Sequence, residues 1–265
     1  MRSKYQFGLI LWELMPNLLR SCALLFSIGC NNNVDFESCN EIKPSVISTD
    51  QSSVKLFYDS LGRLSSVEPT DLNNPFVFAG ISVTQKTSLT YDKSGKLILV
   101  DFGGGAFLKY TYLNGLLVSK LQQDQTGSGY STNGRGLPIT RFNVSWNDRS
   151  ACSRETFVYN TNDNIDTCRI YIMDLNYPGC SRHWQTYQND FDDRPNPILN
   201  TLSLLTVKGD ACFLSKNNCI STNRTYALRG NAPLGKEAIN LIYDAKKRLI
   251  FTNTNYGPLS FSYCR

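Results

Sequence analysis

Apolar and polar residues alternate in short runs through most of this chain, and turn residues separate the runs. That period of two predicts antiparallel strands rather than helices. The clearest case is Lys55-Leu56-Phe57-Tyr58-Asp59-Ser60-Leu61-Gly62-Arg63-Leu64-Ser65-Ser66-Val67, where two such runs flank an Asp-x-x-Gly turn. Ser88 to Val100 repeats it, with Tyr91-Asp92 and Gly95-Lys96-Leu97 at the same offsets. Tyr110 to Val118 is a shorter version bent at Asn114-Gly115, and Thr156–Ile165 and Asn240–Ile250 are weaker copies. In such a turn the aspartate oxygen accepts from backbone amides and the glycine supplies a positive φ. Gly134 to Pro138 introduces a further strand pair, in which Phe142, Val144 and Trp146 alternate onto one face.

Helix is expected to be scarce. Pro197 to Leu205 is the one segment of the mature chain whose apolar spacing suits a helix, with proline at its start. Gly103-Gly104-Gly105 and Thr126-Gly127-Ser128-Gly129 read as flexible bends or loops. The pattern therefore predicts an all-β domain over residues 52–265, an antiparallel meander of Tyr-Asp-turn hairpins curling into a barrel or half-barrel. Its strands are short and polar-flanked, unlike the longer alternation of outer-membrane strands.

The front of the chain is different. Leu18 to Cys30 is an apolar run with Arg20 near its start, too short to span a bilayer, followed at once by Asn31-Asn32-Asn33. These are the parts of an export signal over residues 1–29, with Met15 a tidier start than Met1. Its end, Ile28-Gly29-Cys30, resembles the lipobox of bacterial lipoproteins. That resemblance implies lipidation of Cys30, a polar tether over 30–51, attachment to a membrane through the lipid, and residence in the envelope as an outer-membrane lipoprotein. An ordinary cleaved secretion signal is the alternative reading.

Composition narrows the partners. The chain has 265 residues, with 27 Lys and Arg against 22 Asp and Glu, for a net charge of +5. These cations form no run, which argues against a nucleic-acid surface. None of the nine cysteines forms a Cys-x-x-Cys pair, so zinc and redox motifs are unsupported. For an exported chain disulfides are the default. Candidates are Cys152, Cys168, Cys180, Cys212 and Cys219, with Cys212 and Cys219 placed to close a short loop. Cys39 and Cys264 complete an odd set of seven beyond Cys30, so at least one thiol is unpaired or pairs between chains.

Candidate chemistry is thin. His183 is the single histidine, near Cys180, but a loop position explains it better than a nucleophile–base pair. Asp190, Asp192 and Asp193 offer hard oxygen ligands without the spacing of a calcium loop, and turn formation before Pro195 accounts for them. No metal or other cofactor is expected. Asp210 and Glu237 leave a paired-carboxylate hydrolase unplaced. Trp146, Trp184 and Tyr187 could form a face that stacks sugars or peptide, although aromatics in sheets more often pack across strands.

Two resemblances follow from the motifs. Tyr58 to Leu64 and Tyr91 to Leu97 fit Tyr-Asp-x-x-Gly-[Arg/Lys]-Leu, which resembles the tyrosine–aspartate repeats of the RHS family. Tyr187-Gln188-Asn189-Asp190-Phe191-Asp192-Asp193-Arg194-Pro195-Asn196-Pro197-Ile198, then Phe213 to Asn218, follow those hairpins in an order similar to an uncharacterised family of exported bacterial lipoproteins. Members carry a domain of unknown function with a porin-like fold, so the resemblance implies a barrel-like sheet and brings no catalytic residues. The function expected is a non-enzymatic ligand-binding or accessory module for a glycan or peptide. A carboxylate-dependent hydrolase and a structural envelope component are the alternatives.

Overall fold

The structure is a computed structural model. It describes residues 43–124, 126–144, 153–174, 177–206, 211–227, 232–254 and 256–263, with side chains left out at 143–144, 173–174, 177–181 and 232–234. The chain divides into two units, Met1–Phe36 and Glu37–Arg265, and every described residue belongs to the second. The export signal, Cys30, Cys39, Trp146, Cys152, Asp210, Cys264 and the side chain of Cys180 lie outside the described residues.

The described strands, in chain order, are β1 (Pro44–Ser48), β2 (Ser53–Tyr58), β3 (Leu64–Pro69), β4 (Phe76–Phe78), β5 (Ile81–Val83), β6 (Thr87–Tyr91) and β7 (Leu97–Gly103). Next come β8 (Ala106–Leu113), β9 (Leu116–Gln122), β10 (Gly127–Thr132), β11 (Pro138–Val144), β12 (Ser153–Tyr159) and β13 (Ile165–Asp174). The last are β14 (Tyr177–Pro195), β15 (Asn217–Tyr226), β16 (Ala232–Ala238), β17 (Leu241–Tyr243), β18 (Leu249–Thr254) and β19 (Gly257–Tyr263). One antiparallel sheet takes 17 of them, and β4 pairs with β5 in a separate two-stranded sheet. The all-β meander expected from the alternation is what forms.

Pairing follows the chain from β6 round to β16, each strand beside the next. In the other direction β6 pairs with β3, β3 with β2, β2 with β1, β1 with β19, β19 with β18, and β18 with β17. The first and last strands are thus neighbours inside the sheet, and the two ends of the sheet, β16 and β17, are consecutive in sequence. Between them the chain changes partner. The Ile239 amide still donates to Ile220 of β15 (2.9 Å), whereas the Asn240 carbonyl already accepts from Asn253 of β18 (3.1 Å).

Alternation decides which side of each strand is buried. In β2 Val54 and Leu56 are buried and Lys55 is exposed, and in β19 Leu259 and Phe261 are buried while Ser260 and Ser262 are exposed. Two insertions cover this inner face. One lies between β3 and β6 and carries Phe76, Phe78, Ile81 and Val83 on the β4–β5 hairpin. The other lies between β14 and β15 and carries Ile198, Leu202, Leu205 and Phe213, and both join the sheet side chains in one cluster. A second cluster, Phe157, Ile165, Cys168 and Ala211, sits under β12 and β13. Beside it Lys120, Arg141 and Glu155 are buried, with the Arg141–Glu155 ion pair at 2.5 Å.

The sequence expectations need three adjustments. Pairing begins at Pro44, inside the stretch expected to be tether to residue 51, because Ile47 alternates into the core. Pro197 to Leu205 yields only a 3-10 turn at Leu202–Leu205, where the Thr201 and Ser203 hydroxyls donate to the Pro197 and Leu199 carbonyls, acceptors that a regular helix would use. Gly127 to Gly129, expected in a loop, belongs to β10. A Cβ at Gly127 would stand 2.2 Å from the Lys120 carbonyl, so glycine there permits close strand approach.

Candidate functional site

Five turns among the described residues share one construction, led by Asp59, Asp92, Asn133, Asn160 and Asp244. In each, the leading residue's backbone amide donates to the carbonyl four residues on, at 2.9–3.0 Å. Its side-chain oxygen accepts the amide of that same residue: Arg63 at 2.8 Å, Lys96 at 2.9 Å, Leu137 at 3.0 Å, Asn164 at 3.1 Å and Arg248 at 2.8 Å. The residue before it has positive φ. Glycine takes that position in the first three turns, and Asp163 (63°) and Lys247 (62°) hold it in the other two. Sequence reading missed the Asn133 turn, which lacks both the tyrosine and the aspartate.

These turns place a tyrosine and a cation at one end of successive strands. Tyr112 closes β8, Lys96 precedes β7, Tyr91 closes β6, Arg63 precedes β3, Tyr58 closes β2 and Lys43 precedes β1. The series continues with Tyr263 on β19, Arg248 before β18 and Tyr243 on β17. Along the sheet the order is tyrosine, cation, tyrosine, without a break.

Each cation lies over the ring of the tyrosine beside it: Lys96 over Tyr112 (5.6 Å), Arg63 over Tyr91 (4.3 Å), Lys43 over Tyr58 (5.4 Å) and Arg248 over Tyr263 (4.5 Å). Each of those tyrosines donates its hydroxyl to the carbonyl that follows the cation. Tyr112 donates to Leu97 (3.0 Å), Tyr91 to Leu64 (2.8 Å), Tyr58 to Pro44 (2.8 Å) and Tyr263 to Leu249 (2.9 Å). A fifth copy, Tyr159 donating to Pro138 (2.7 Å), has Leu137 where the cation would stand. The hydroxyl bond is therefore common to the architecture, and the cation is an addition made where strands surround the cavity described next.

At the end of the row, Arg194 of β14 lies over Tyr243 (3.9 Å). The Tyr243 hydroxyl donates to Asp192 and accepts from Asn218 Nδ2 (3.1 Å), so side chains tie β17 to β14 and β15.

The row surrounds a cavity of about 1000 Å³ lined by Lys43, Tyr58, Arg63, Tyr91, Lys96, Tyr112, Arg194, Lys246, Lys247, Arg248 and Tyr263, with Asp193 the one carboxylate in its wall. Its floor is apolar and polar in turn, with Leu64, Leu97, Leu204 and Leu249 beside Asn196, Asn200 and Thr201. Tyr110 fixes the insertion beneath it by donating to the Leu204 carbonyl (2.7 Å).

The charge in this wall is only partly compensated. Asp59 and Asp244 pair with Arg63 and Arg248 within their own turns, at 2.6 and 2.7 Å. The tyrosines add no negative charge. Burial raises the hydroxyls of Tyr58, Tyr91 and Tyr112 above their ordinary value and takes Tyr263 up to about 12.

Most residues named from sequence fall elsewhere. Trp184 occupies the bulge of β14 between His183 and Gln185, which face Tyr171 and Ile170 of β13, is 36% exposed and meets Tyr226 edge-on (5.7 Å). Tyr187 packs on the second cluster, under Arg224 (5.5 Å). His183 bonds to Thr186 (2.9 Å) and packs beside Tyr171 (5.3 Å). Asp190 is bonded to Ser221 (2.6 Å) and Lys236 (2.7 Å), and Glu237 to Arg224 (2.9 Å), and the described residues hold no group of three or more His, Cys, Asp or Glu side chains placed for a metal ion. Cys212 and Cys219 stand with Cα atoms 5.3 Å apart, placed for a disulfide, and Cys168 is buried beside Phe157. Neither Lys43 nor Arg194 stands out from sequence as a site residue, Lys43 because it belongs to no recognisable turn unit and Arg194 because it reads only as part of the Tyr187–Ile198 motif.

No family model matches the chain, and no characterised protein matches it in sequence. Solved structures do. A porin-like protein from Bacteroides vulgatus aligns with TM-score 0.44 and 11% identity over 84% of this chain and 99% of its own. A porin-like protein from Bacteroides uniformis aligns with TM-score 0.40 and 11% identity over 85% and 98%. Part of a TcdB2–TccC3 structure aligns with TM-score 0.32 and 13% identity, over 75% of this chain and 9% of that one. The likeness is one of strand arrangement. At these values it carries nothing about activity.

Proposed function

We propose that this chain is a non-enzymatic binding module of the bacterial envelope, held to the membrane by a lipid on Cys30, whose glycan or peptide ligand occupies the cavity ringed by tyrosines and cations. The observation that carries the reading is the cavity wall. Three turn units, led by Asp59, Asp92 and Asp244, put Arg63, Lys96 and Arg248 there and Lys43 adds a fourth cation before β1, while the Asn133 turn, whose residues are not part of that wall, has Leu137 at the same position. A cavity of about 1000 Å³ is at the upper end of small-molecule sites, which run to about 1,000 Å³. The address rests on the signal-like run from Leu18 to Cys30.

The test is a panel of neutral and acidic oligosaccharides and of peptides, titrated against the purified domain and against Asn200→Trp. Asn200 is exposed and lines the cavity, so the indole fills space without touching the core. Binding by the parent domain that the variant loses, at unchanged melting temperature, supports the reading. Binding that survives in the variant, or a panel with no binder, overturns it.

A further inference from the structure

We propose that the cavity selects an extended acidic polysaccharide carrying about one carboxylate or sulfate per disaccharide, which rests on the reading of this cavity as a ligand site. Lys96, Arg63, Lys43 and Arg248 precede β7, β3, β1 and β18, and each of these strands is separated from the next by a single strand. Two strand spacings come to about 10 Å, so the backbone positions of these cations recur with that period, with the charges of Arg63 and Arg248 shared with Asp59 and Asp244. A compact anion such as a single phosphate is held by donors converging on one point. A row spread along the sheet suits a chain with regularly placed charges, and a period near two strands is comparable with the length of a disaccharide. An acidic peptide in extended form repeats on one face every two residues, about 7 Å, and falls out of register with the row.

The wall also limits how such a chain could be held. The hydroxyls of the four tyrosines stacked under these cations are committed to backbone carbonyls, and one face of each ring is covered. Stacking of sugar rings on tyrosine is therefore restricted to the remaining face, and recognition passes to the cations. Their aromatic partners hold the heads in place, which reduces the entropy lost when a ligand arrives.

Isothermal titration with hyaluronan oligosaccharides, which carry one carboxylate per disaccharide, tests this against their neutral methyl esters, chitin oligosaccharides and poly-glutamate. The variants are Lys43→Gln with Lys96→Gln, and Lys55→Gln with Lys109→Gln as a control pair exposed on strands outside the cavity. We expect hyaluronan to bind with an affinity that falls as salt rises, the methyl ester to bind at least about tenfold more weakly, and the Lys43/Lys96 pair to lose about tenfold per cation. Methyl ester or chitin binding as tight as hyaluronan overturns the acidic-polysaccharide inference but leaves the cavity as a ligand site. Poly-glutamate binding more tightly overturns it in favour of an acidic peptide. Equal losses in the control pair would mean diffuse surface attraction and overturn it as well. If no probe binds, this inference and the binding-module reading fall together.

Discussion

Tyr91 donates its hydroxyl to the Leu64 carbonyl at 2.8 Å, across the β3–β6 junction where the β4–β5 insertion leaves the sheet. The ladder there is short, two residue pairs between Ser66–Val67 and Thr87–Ser88, so the phenol extends the junction towards the turns. Tyr91→Phe should lower stability by about 0.5–1.5 kcal/mol, as for a neutral hydrogen bond to a half-buried carbonyl, read from the urea midpoint at unchanged slope. A loss no larger than that of an exposed Tyr256→Phe control would refute the role given to this hydroxyl.

Acid should weaken the turns. Burial works against the charge on Asp59, but hydrogen bonds from the Arg63 backbone and guanidinium, and its charge, hold the carboxyl below its ordinary value. Backbone hydrogen bonds from Lys96 and Arg248 do the same for Asp92 and Asp244. Carboxyls depressed in the folded state stabilise it above their unfolded value, about 4, and the contribution is lost as pH falls through the folded values. Asn133 and Asn160 lead the same turn without charge, so Asp59→Asn with Asp92→Asn and Asp244→Asn should still fold. Its stability should change less between about pH 5 and 2 than that of the parent chain, measured by urea titration at each pH.

Lys120 predicts a dependence of the same sign in a higher pH range. Burial, with Arg141 nearby, lowers its ammonium to about 7, while its Nζ reaches the Thr206 carbonyl at 3.5 Å and faces the rings of Tyr110 and Tyr130. Between about 7 and the ordinary value the unfolded chain binds the extra proton, so stability rises with pH through that interval. Lys120→Met should remove the rise between about pH 7 and 9 and leave the protein more stable at pH 6. A variant that keeps the parent pH profile would show that Lys120 stays charged in the folded state.

The insertion between β3 and β6 should be indispensable to the core. Phe76 is 0% exposed and belongs to the main cluster with residues of β1, β2, β3, β18 and β19. Phe76→Ala should cost about 3–5 kcal/mol by chemical denaturation. A cost near that of a surface alanine would mean that the hairpin is detachable from the sheet.

The covalent predictions are read by mass. Mature protein from a membrane fraction should begin at Cys30 with a diacylglyceryl group, and Cys30→Ala should leave it unlipidated. Blocking the Cys212–Cys219 link with Cys212→Ala/Cys219→Ala should cost about 2–3 kcal/mol, as expected for closing a short loop. Thiols at both positions in unreduced protein would remove the link from the account.

What the sequence revealed was local. An Asp-x-x-Gly turn with Tyr before and Leu after is complete within a few residues, so Tyr58–Leu64 and Tyr91–Leu97 could be read directly. The Asn133 turn has the same bonds and the glycine, Gly136, but neither the tyrosine nor the aspartate, and Gly127 looked like a loop because close strand approach leaves no mark except a missing side chain. The cavity was out of reach for a different reason. Lys43, Arg63, Lys96 and Arg248 are scattered along the chain, and only the pairings of β1 with β19 and of β3 with β6 bring them into one row. Trp184 and Tyr187, neighbours in sequence, ended in unrelated surroundings because a bulge and a buried cluster claimed them separately.

β19 is the last described strand, yet it lies between β18 and β1. During synthesis β1 must therefore wait for almost the whole domain to emerge before its second partner exists, and such distant pairings form slowly. The pairing of β1 with β19 therefore stays open until the domain is nearly complete, while the hairpins from β6 to β16 need only the next strand. Were the chain exported as proposed, that last pairing would be made only after translocation.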